Sequence, residues 1–344
     1  MSKEYEPQVV AELTRMAEEA LPKWGLSVHS KVKLLNLSEN ATFLAQDDDD
    51  GHEIVIRMQR RGYSSKEAIR SELAWIEALR DSHTVNTAAP VRCSDGEYIA
   101  SLSSPSEERL AVAFEKLEGH EPDLSQSDLP HWFEVLGRIT AKLHAHARNW
   151  QYPKWFSRRR WDYEGIIGDN AYWGSWRDAQ GMDEKTAKIF AAVLEEVKPK
   201  VLAFGTTADR FGVIHGDLRA TNLLVDGDKL QLLDFDDMGF GYFLFDFGAA
   251  LSFMEQSKEA PALASSWVRG YESIRTLSAE EKAMLPVFSI LRRLELCAWC
   301  GSHSEVPFAK EQGVQITKDS VRLCESFLDG TYLKEEESKD VCVA

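Results

Sequence analysis

The chain has 344 residues, 44% of them hydrophobic and 28% charged, with a formal net charge of −16. That length favours two lobes sharing a cleft, and the aromatic content excludes a disordered chain. The acidic balance argues against nucleic acid or an anionic membrane surface as partner.

The start, Met1-Ser2-Lys3-Glu4, lacks the basic and apolar runs of a signal peptide, and no apolar stretch is long enough to cross a bilayer. Apolar positions from Val9 to Leu21 predict an opening helix over about 6–21 that stops near Pro22 and Gly25. Strands are expected at Val32 to Leu37, Ala41 to Ala45 and Ile54 to Met58. The acidic turn Asp47 to Gly51 between the last two is expected as a solvated hairpin tip, since its spacing fits no Ca²⁺ loop. Lys66 to Leu79 has the pattern of an amphipathic helix, and two further strands follow at Tyr98 to Ser101 and Leu110 to Leu117. The loop Glu118 to Pro130 is the expected hinge. Beyond Trp132 the pattern is helical over 132–147, 184–204 and most of 260–330, with one hairpin between 222 and 235. This gives an α+β architecture of two lobes, 1–117 and 118–334, with a charged tail at 335–344.

The chemistry concentrates in one string. His215-Gly216-Asp217-Leu218-Arg219-Ala220-Thr221-Asn222 leads into two apolar runs around the Asp226-Gly227 turn, and the second run ends at Asp234-Phe235-Asp236. Asp217 and Asn222 stand at one end of this hairpin and Asp234 at the other. Phosphoryl transfer needs that set: a carboxylate beside the attacking hydroxyl and oxygen ligands for Mg²⁺. Asp217 is the expected base, Asn222 and Asp234 the metal ligands, and Asp236 a further carboxylate near the metal. Arg219 has the guanidinium geometry to meet phosphoryl oxygens. The alternative is a hairpin whose polar ends are solvated turns.

This string resembles the signature of the aminoglycoside phosphotransferase and choline kinase-like family, which includes homoserine and hydroxylysine kinases. The resemblance implies a two-lobed protein-kinase-like fold, with ATP and Mg²⁺ as cofactors and a small-molecule alcohol as acceptor. It also implies that His215 braces the catalytic loop and that Asp246 accepts the loop's backbone hydrogen bonds, a helix cap being the other reading of Asp246. Arg57 on the third strand and Glu72 on the following helix match the phosphate-gripping pair, with Arg in place of the usual Lys. The glycine-rich loop is absent. Ser38-Glu39-Asn40 stands in its place, so Ser38 and Asn40 are expected at the phosphates, and the backbone around Glu115 and Leu117 at the adenine.

Two other features invite functional readings. Segment 149–176 is rich in aromatic residues and holds Arg158, Arg159 and Arg160, which suits either a ligand wall or an anchor on the helical lobe. His144 and His146, two apart on a helix, face different directions and do not share a metal. Cys297 and Cys300 have metal spacing, but without a second pair they are expected as helix packing. Five cysteines form no disulfide framework and fit reduced thiols, which makes the cytoplasm the expected location.

The expected activity is therefore transfer of the ATP γ-phosphoryl group to an amino alcohol or hydroxy amino acid. The alternatives are a bacterial stress-type protein Ser/Thr kinase, an aminoglycoside phosphotransferase and a non-catalytic pseudokinase. Only about eleven residues separate Asp234 from Asp246, too few for the long activation loop of a protein kinase.

Overall fold

Apolar residues spaced three and four apart bury one side of the first helix, α1 (Pro7–Ala20), through Leu13, Met16, Ala17 and Ala20. Its proline sits in the first turn, where an amide donor is not needed. A 3₁₀ turn, Leu21–Trp24, then ends at Gly25 in the left-handed region, φ +79°. This computed structural model describes residues 6–38, 40–104, 107–125 and 127–335. Glu39 and residues 336–344 of the expected tail lie outside them.

The N-terminal half is a mainly antiparallel sheet with α1 against it. It contains β1 (Lys31–Leu37), β2 (Asn40–Gln46), β3 (Glu53–Gln59), α2 (Lys66–Asp81), β4 (Asn86–Thr87), β5 (Pro90–Val91), β6 (Ile99–Ser103) and β7 (Glu108–Glu115). The sheet runs β1-β2-β3-β7-β5, and β6 also pairs with β7. The register sets Arg57 opposite Thr42 on one side and Val112 on the other, so its side chain rises from the centre of the sheet. Ser65 caps α2 by accepting from the Ala68 amide, and the buried face of α2 carries Ile69, Glu72, Leu73, Trp75, Ile76 and Leu79.

The C-terminal half is built on α3 (Leu129–Asn149), followed by β8 (Arg160–Trp161), α4 (Tyr163–Ile167), α5 (Glu184–Phe204), β9 (Phe211–Ile214), β10 (Leu223–Asp226), β11 (Lys229–Leu232) and β12 (Gly239–Tyr242). Helices α6 (Phe245–Leu251), α7 (Ala260–Glu272), α8 (Ala279–Ser302) and α9 (Pro307–Leu328) complete it. Helix α8 opens on a full capping box between Ser278 and Glu281.

The expectation of one hairpin in this half needs correction. A three-stranded sheet, β8-β12-β9, stands behind the catalytic string, and β4 adds a parallel strand to the β10–β11 hairpin. These strands are two to four residues long, too short to show a period of two in the sequence. The acidic turn is corrected as well. Asp48, Asp49 and Asp50 are exposed, but Asp47 is buried and accepts from the Ser27 amide (2.7 Å), the Asp49 amide (2.8 Å) and Ser30 Oγ (3.2 Å). Those bonds hold its carboxyl below the usual carboxylate range.

Among the described residues two apolar cores form. One joins α1 to the inner face of the sheet through Phe43, Ile54, Ile56 and Met58. The other fills the helical half and takes in α2, whose Leu73, Trp75, Ile76 and Leu79 pack with Phe235 and the helices beneath it.

Candidate functional site

Between the sheet and the helical half lies a cavity of about 820 Å³. Ser38, Asn40, Arg57, Glu72, Glu115, Leu117, Asp217, Arg219, Asn222, Asp234 and Asp236 all line it, while His215 and Asp246 stand immediately behind.

The loop carrying Asp217 is fixed from below. Asp246, fully buried in the first turn of α6, accepts from the Gly216 amide (2.8 Å), the His215 amide (3.2 Å) and His144 Nε2 (3.0 Å). The other nitrogen of His144 meets the Tyr271 hydroxyl at 3.0 Å, while His146 accepts from Trp75 Nε1 (3.3 Å), so the two histidines point apart. His215 lies within 3.1 Å of the Leu233 carbonyl through Nε2, and its Nδ1 accepts from the Asp217 amide (3.4 Å). Burial lowers the pKa of both His144 and His215, so they serve as neutral braces. Gly216 has φ +84°, and a β-carbon there would come within 2.6 Å of the Asp237 carbonyl oxygen.

Asp217 is held by two guanidiniums. Arg292 Nη2 donates to its Oδ1 (2.6 Å), and Arg219 donates to its Oδ2 from Nε (3.2 Å). Arg292 comes from α8 and also binds Glu295 Oε2 (2.8 Å). No spacing in the chain ties it to the catalytic string, and sequence reasoning missed it. Asn222 turns its amide nitrogen to the Asp217 carbonyl (2.7 Å).

Asp234 adopts φ +59° at the end of the hairpin. Desolvation by the surrounding protein, together with the neighbouring Asp236 carboxylate, pushes its carboxyl up to about 7, against the pull of Arg57, while the residue itself remains open to solvent. Asp236 accepts from Asn40 Nδ2 (2.8 Å) through Oδ2, while its Oδ1 is buried without a hydrogen-bond partner. Arg158 donates to the Asp236 and Met238 carbonyls and to Ala68 O on α2, which locks the segment after the hairpin.

On the sheet side, Arg57 Nη2 donates to Glu72 Oε2 (2.8 Å). Burial works against the Arg57 charge, and Glu72, Asp236 and Asp234 more than offset it, so the cation is retained. Glu115 uses its amide on the Ala89 carbonyl (2.8 Å), which leaves the lower end of the cavity lined by Lys116, Leu117, Phe114, Val55 and Leu233.

The aromatic segment serves mostly as an anchor: Phe156, Trp161 and Trp176 are buried in the core. Trp173 differs, because it also lines the cavity and stacks on Tyr63 (6.1 Å). Arg159 lies over Tyr63 and pairs with Asp237 (3.2 Å). Cys297 and Cys300 are buried in α8, and burial raises both thiols, Cys300 to about 12. Among the described residues no helix is long and apolar enough to cross a membrane.

Comparison with known proteins identifies the family. Residues 32–283 match the phosphotransferase enzyme family. A microcompartment-associated aminopropanol kinase of known structure is 38% identical, covers 94% of this chain and 99% of its own, and superposes with a TM-score of 0.86. The homoserine kinase of Gluconobacter oxydans is 27% identical over 72% of this chain and 74% of its own length. Amicoumacin kinase, solved with AMP-PNP, Ca²⁺ and Ami, is 19% identical over 98% of each chain and shares the fold with a TM-score of 0.73. From its first strand to the start of α8 the chain thus belongs to the phosphotransferase enzyme family, as a small-molecule kinase of the protein-kinase-like fold.

Proposed function

We propose that the protein transfers the γ-phosphoryl group of ATP, with Mg²⁺, to the hydroxyl of a small amino alcohol. The observation that carries this reading is the meeting of Asp217, Asn222, Asp234 and the Arg57–Glu72 pair on one cavity. The 38% identical aminopropanol kinase supports an amino alcohol as acceptor, and the homoserine kinase likeness supports a hydroxy amino acid as the second reading.

The residues fit a divalent cation that arrives with a nucleotide. Asp236 Oδ1 is a buried acceptor without a donor, and Asp234 is crowded by a second carboxylate. Among the described residues no cluster of three or more acidic, His or Cys side chains encloses a metal, which matches an ion that Mg²⁺-type sites hold partly through substrate phosphates. Asn222 and Asp234 would hold the ion, Asp236 would add a second negative charge facing it, and the bound ion would supply neutralisation of the phosphate oxygens.

Arg57, tethered by Glu72, grips the nucleotide phosphates; Ser38 and Asn40 stand at the turn above them, and the Leu117 backbone meets the adenine edge. Division of the chain at 117/118 follows this assignment, with nucleotide contacts on the N-terminal side and chemistry on the other. Asp217 aligns the acceptor hydroxyl and takes its proton as the new O–P bond forms and the bond to the β-phosphate oxygen breaks, releasing ADP. In a loose transition state alignment counts for more than deprotonation, which suits a carboxylate fixed by two arginines. Arg219 is placed to turn from Asp217 to the transferring phosphoryl oxygens. The free, buried thiols Cys93, Cys297, Cys300 and Cys324 fit a cytoplasmic setting.

The test is ADP release over a panel of amino alcohols, hydroxy amino acids and aminoglycosides. Asp217→Asn is expected to lower kcat by about a thousandfold or more and to leave ATP affinity within about twofold. Asp234→Asn is expected to weaken Mg·ATP binding. An Asp217→Asn protein with full turnover would show that the base has been misassigned.

A further inference from the structure

We propose that the Arg60–Glu305 ion pair straps the acceptor end of the cleft and restricts the enzyme to compact alcohols. The inference rests on the small-alcohol reading above and identifies residues that impose it.

Arg60 follows β3, and Glu305 lies in the turn between α8 and α9, 245 positions away. Arg60 Nη2 meets Glu305 Oε1 at 2.6 Å, with the two side chains only 19% and 17% exposed. The pair therefore ties the sheet half to the helical half across the cleft, in a setting where solvent screens it less than a surface pair.

What flanks the pair is the wall of the acceptor end. Directly after Glu305, Val306 and Phe308 line the cavity, and the Phe308 ring meets Phe253 edge-on at 5.2 Å. On the other side, the turn from Arg60 to Tyr63 closes through the Tyr63 amide on the Arg60 carbonyl (3.1 Å), and Tyr63 stacks on Trp173, another lining residue. The root of the strap reaches the chemistry. The Arg60 amide donates to Asn40 Oδ1 (3.3 Å), and Asn40 Nδ2 donates to Asp236.

Size follows from the space that the two substrates share in this half-open cleft. One cavity of about 820 Å³ must take both nucleotide and acceptor, and pockets for a single drug-sized ligand already run from about 300 to 1,000 Å³. With the strap in place only a small acceptor fits beside Asp217, and a larger one requires the pair to part.

Arg60→Ala, the near-isosteric Glu305→Gln, and the charge exchange Arg60→Glu with Glu305→Arg test this. For each protein, kcat and KM are measured with 1-amino-2-propanol, with kanamycin as a bulky amino alcohol, and with ATP. Either single variant should raise KM for the compact alcohol about fivefold, keep KM for ATP within about twofold, and shift kcat/KM toward kanamycin. The charge exchange should restore the compact-alcohol KM, and an ATP KM that stays unmoved throughout separates the strap from a general loss of structure. Unchanged selectivity, a parallel rise in the ATP KM, or no recovery in the exchange would overturn the strap alone. A native protein that phosphorylates no alcohol would overturn the functional reading and the size restriction together.

Discussion

Asp234 combines two costs at one residue: a left-handed backbone, φ +59°, and a carboxyl that desolvation and Asp236 push up to about 7 although solvent still reaches it. A carboxyl raised in the fold keeps a proton that the unfolded chain has lost above about pH 4. Its stabilising contribution is present below that pH and fades as pH rises through about 7. The ligand-free protein should therefore lose a little stability between about pH 4 and 7 as this solvent-accessible group ionises. Loading with Mg·ATP analogue near pH 6.5 should expel close to one proton. Calorimetric titration in buffers of differing ionisation heat counts that proton, and a count of zero would contradict the shift. Asp217, Asn222 and Asp234 were legible because a single loop and hairpin fix their spacing. Arg292, His144 and the Arg60–Glu305 pair were not. Each reaches its partner from a distant element, and nothing in a one-dimensional string records that a guanidinium on α8 ends 2.6 Å from Asp217.

The catalytic loop shows the same division among elements. Its helical and hairpin neighbours announced themselves by periodicity and by the Asp226-Gly227 turn. The sheet behind it did not, since Arg160–Trp161 and Gly239–Tyr242 are too short to alternate visibly. The turn that leads from the hairpin into that sheet explains Gly216. The loop runs so close to the Asp237 carbonyl that no side chain fits. Gly216→Ala should destabilise the protein by about 2 kcal/mol and depress kcat more than KM for ATP. Thermal melting and steady-state kinetics measure the two, and a fully stable, active alanine variant would show that the loop has room to shift. Asp246→Ala should behave similarly, because it strands two buried amides and the His144 ring.

At the scale of the whole molecule, the expected boundary at 117/118 follows the end of β7, but the apolar cores divide differently. Helix α2 belongs to the N-terminal half in sequence and to the helical core in packing. Sequence reasoning found its apolar face without showing what that face would meet, since amphipathicity gives a direction and not a partner. Because one core spans the boundary, the two halves should unfold together. Scanning calorimetry is expected to show a single transition, and two resolved peaks would mean that the sheet half stands apart from α2.

The placement of α2 has a consequence for control. Trp75 is wedged against Phe235, Ser71 Oγ accepts from the Ser157 amide (2.8 Å), and Arg158 reaches the Ala68 carbonyl, so the helix that carries Glu72 is riveted to the catalytic floor. Swinging it outward to disarm Arg57 would tear open the largest apolar cluster in the protein. If Arg57 grips the nucleotide as proposed, that helix offers no hinge for control, and turnover is expected to follow the supply of acceptor and nucleotide.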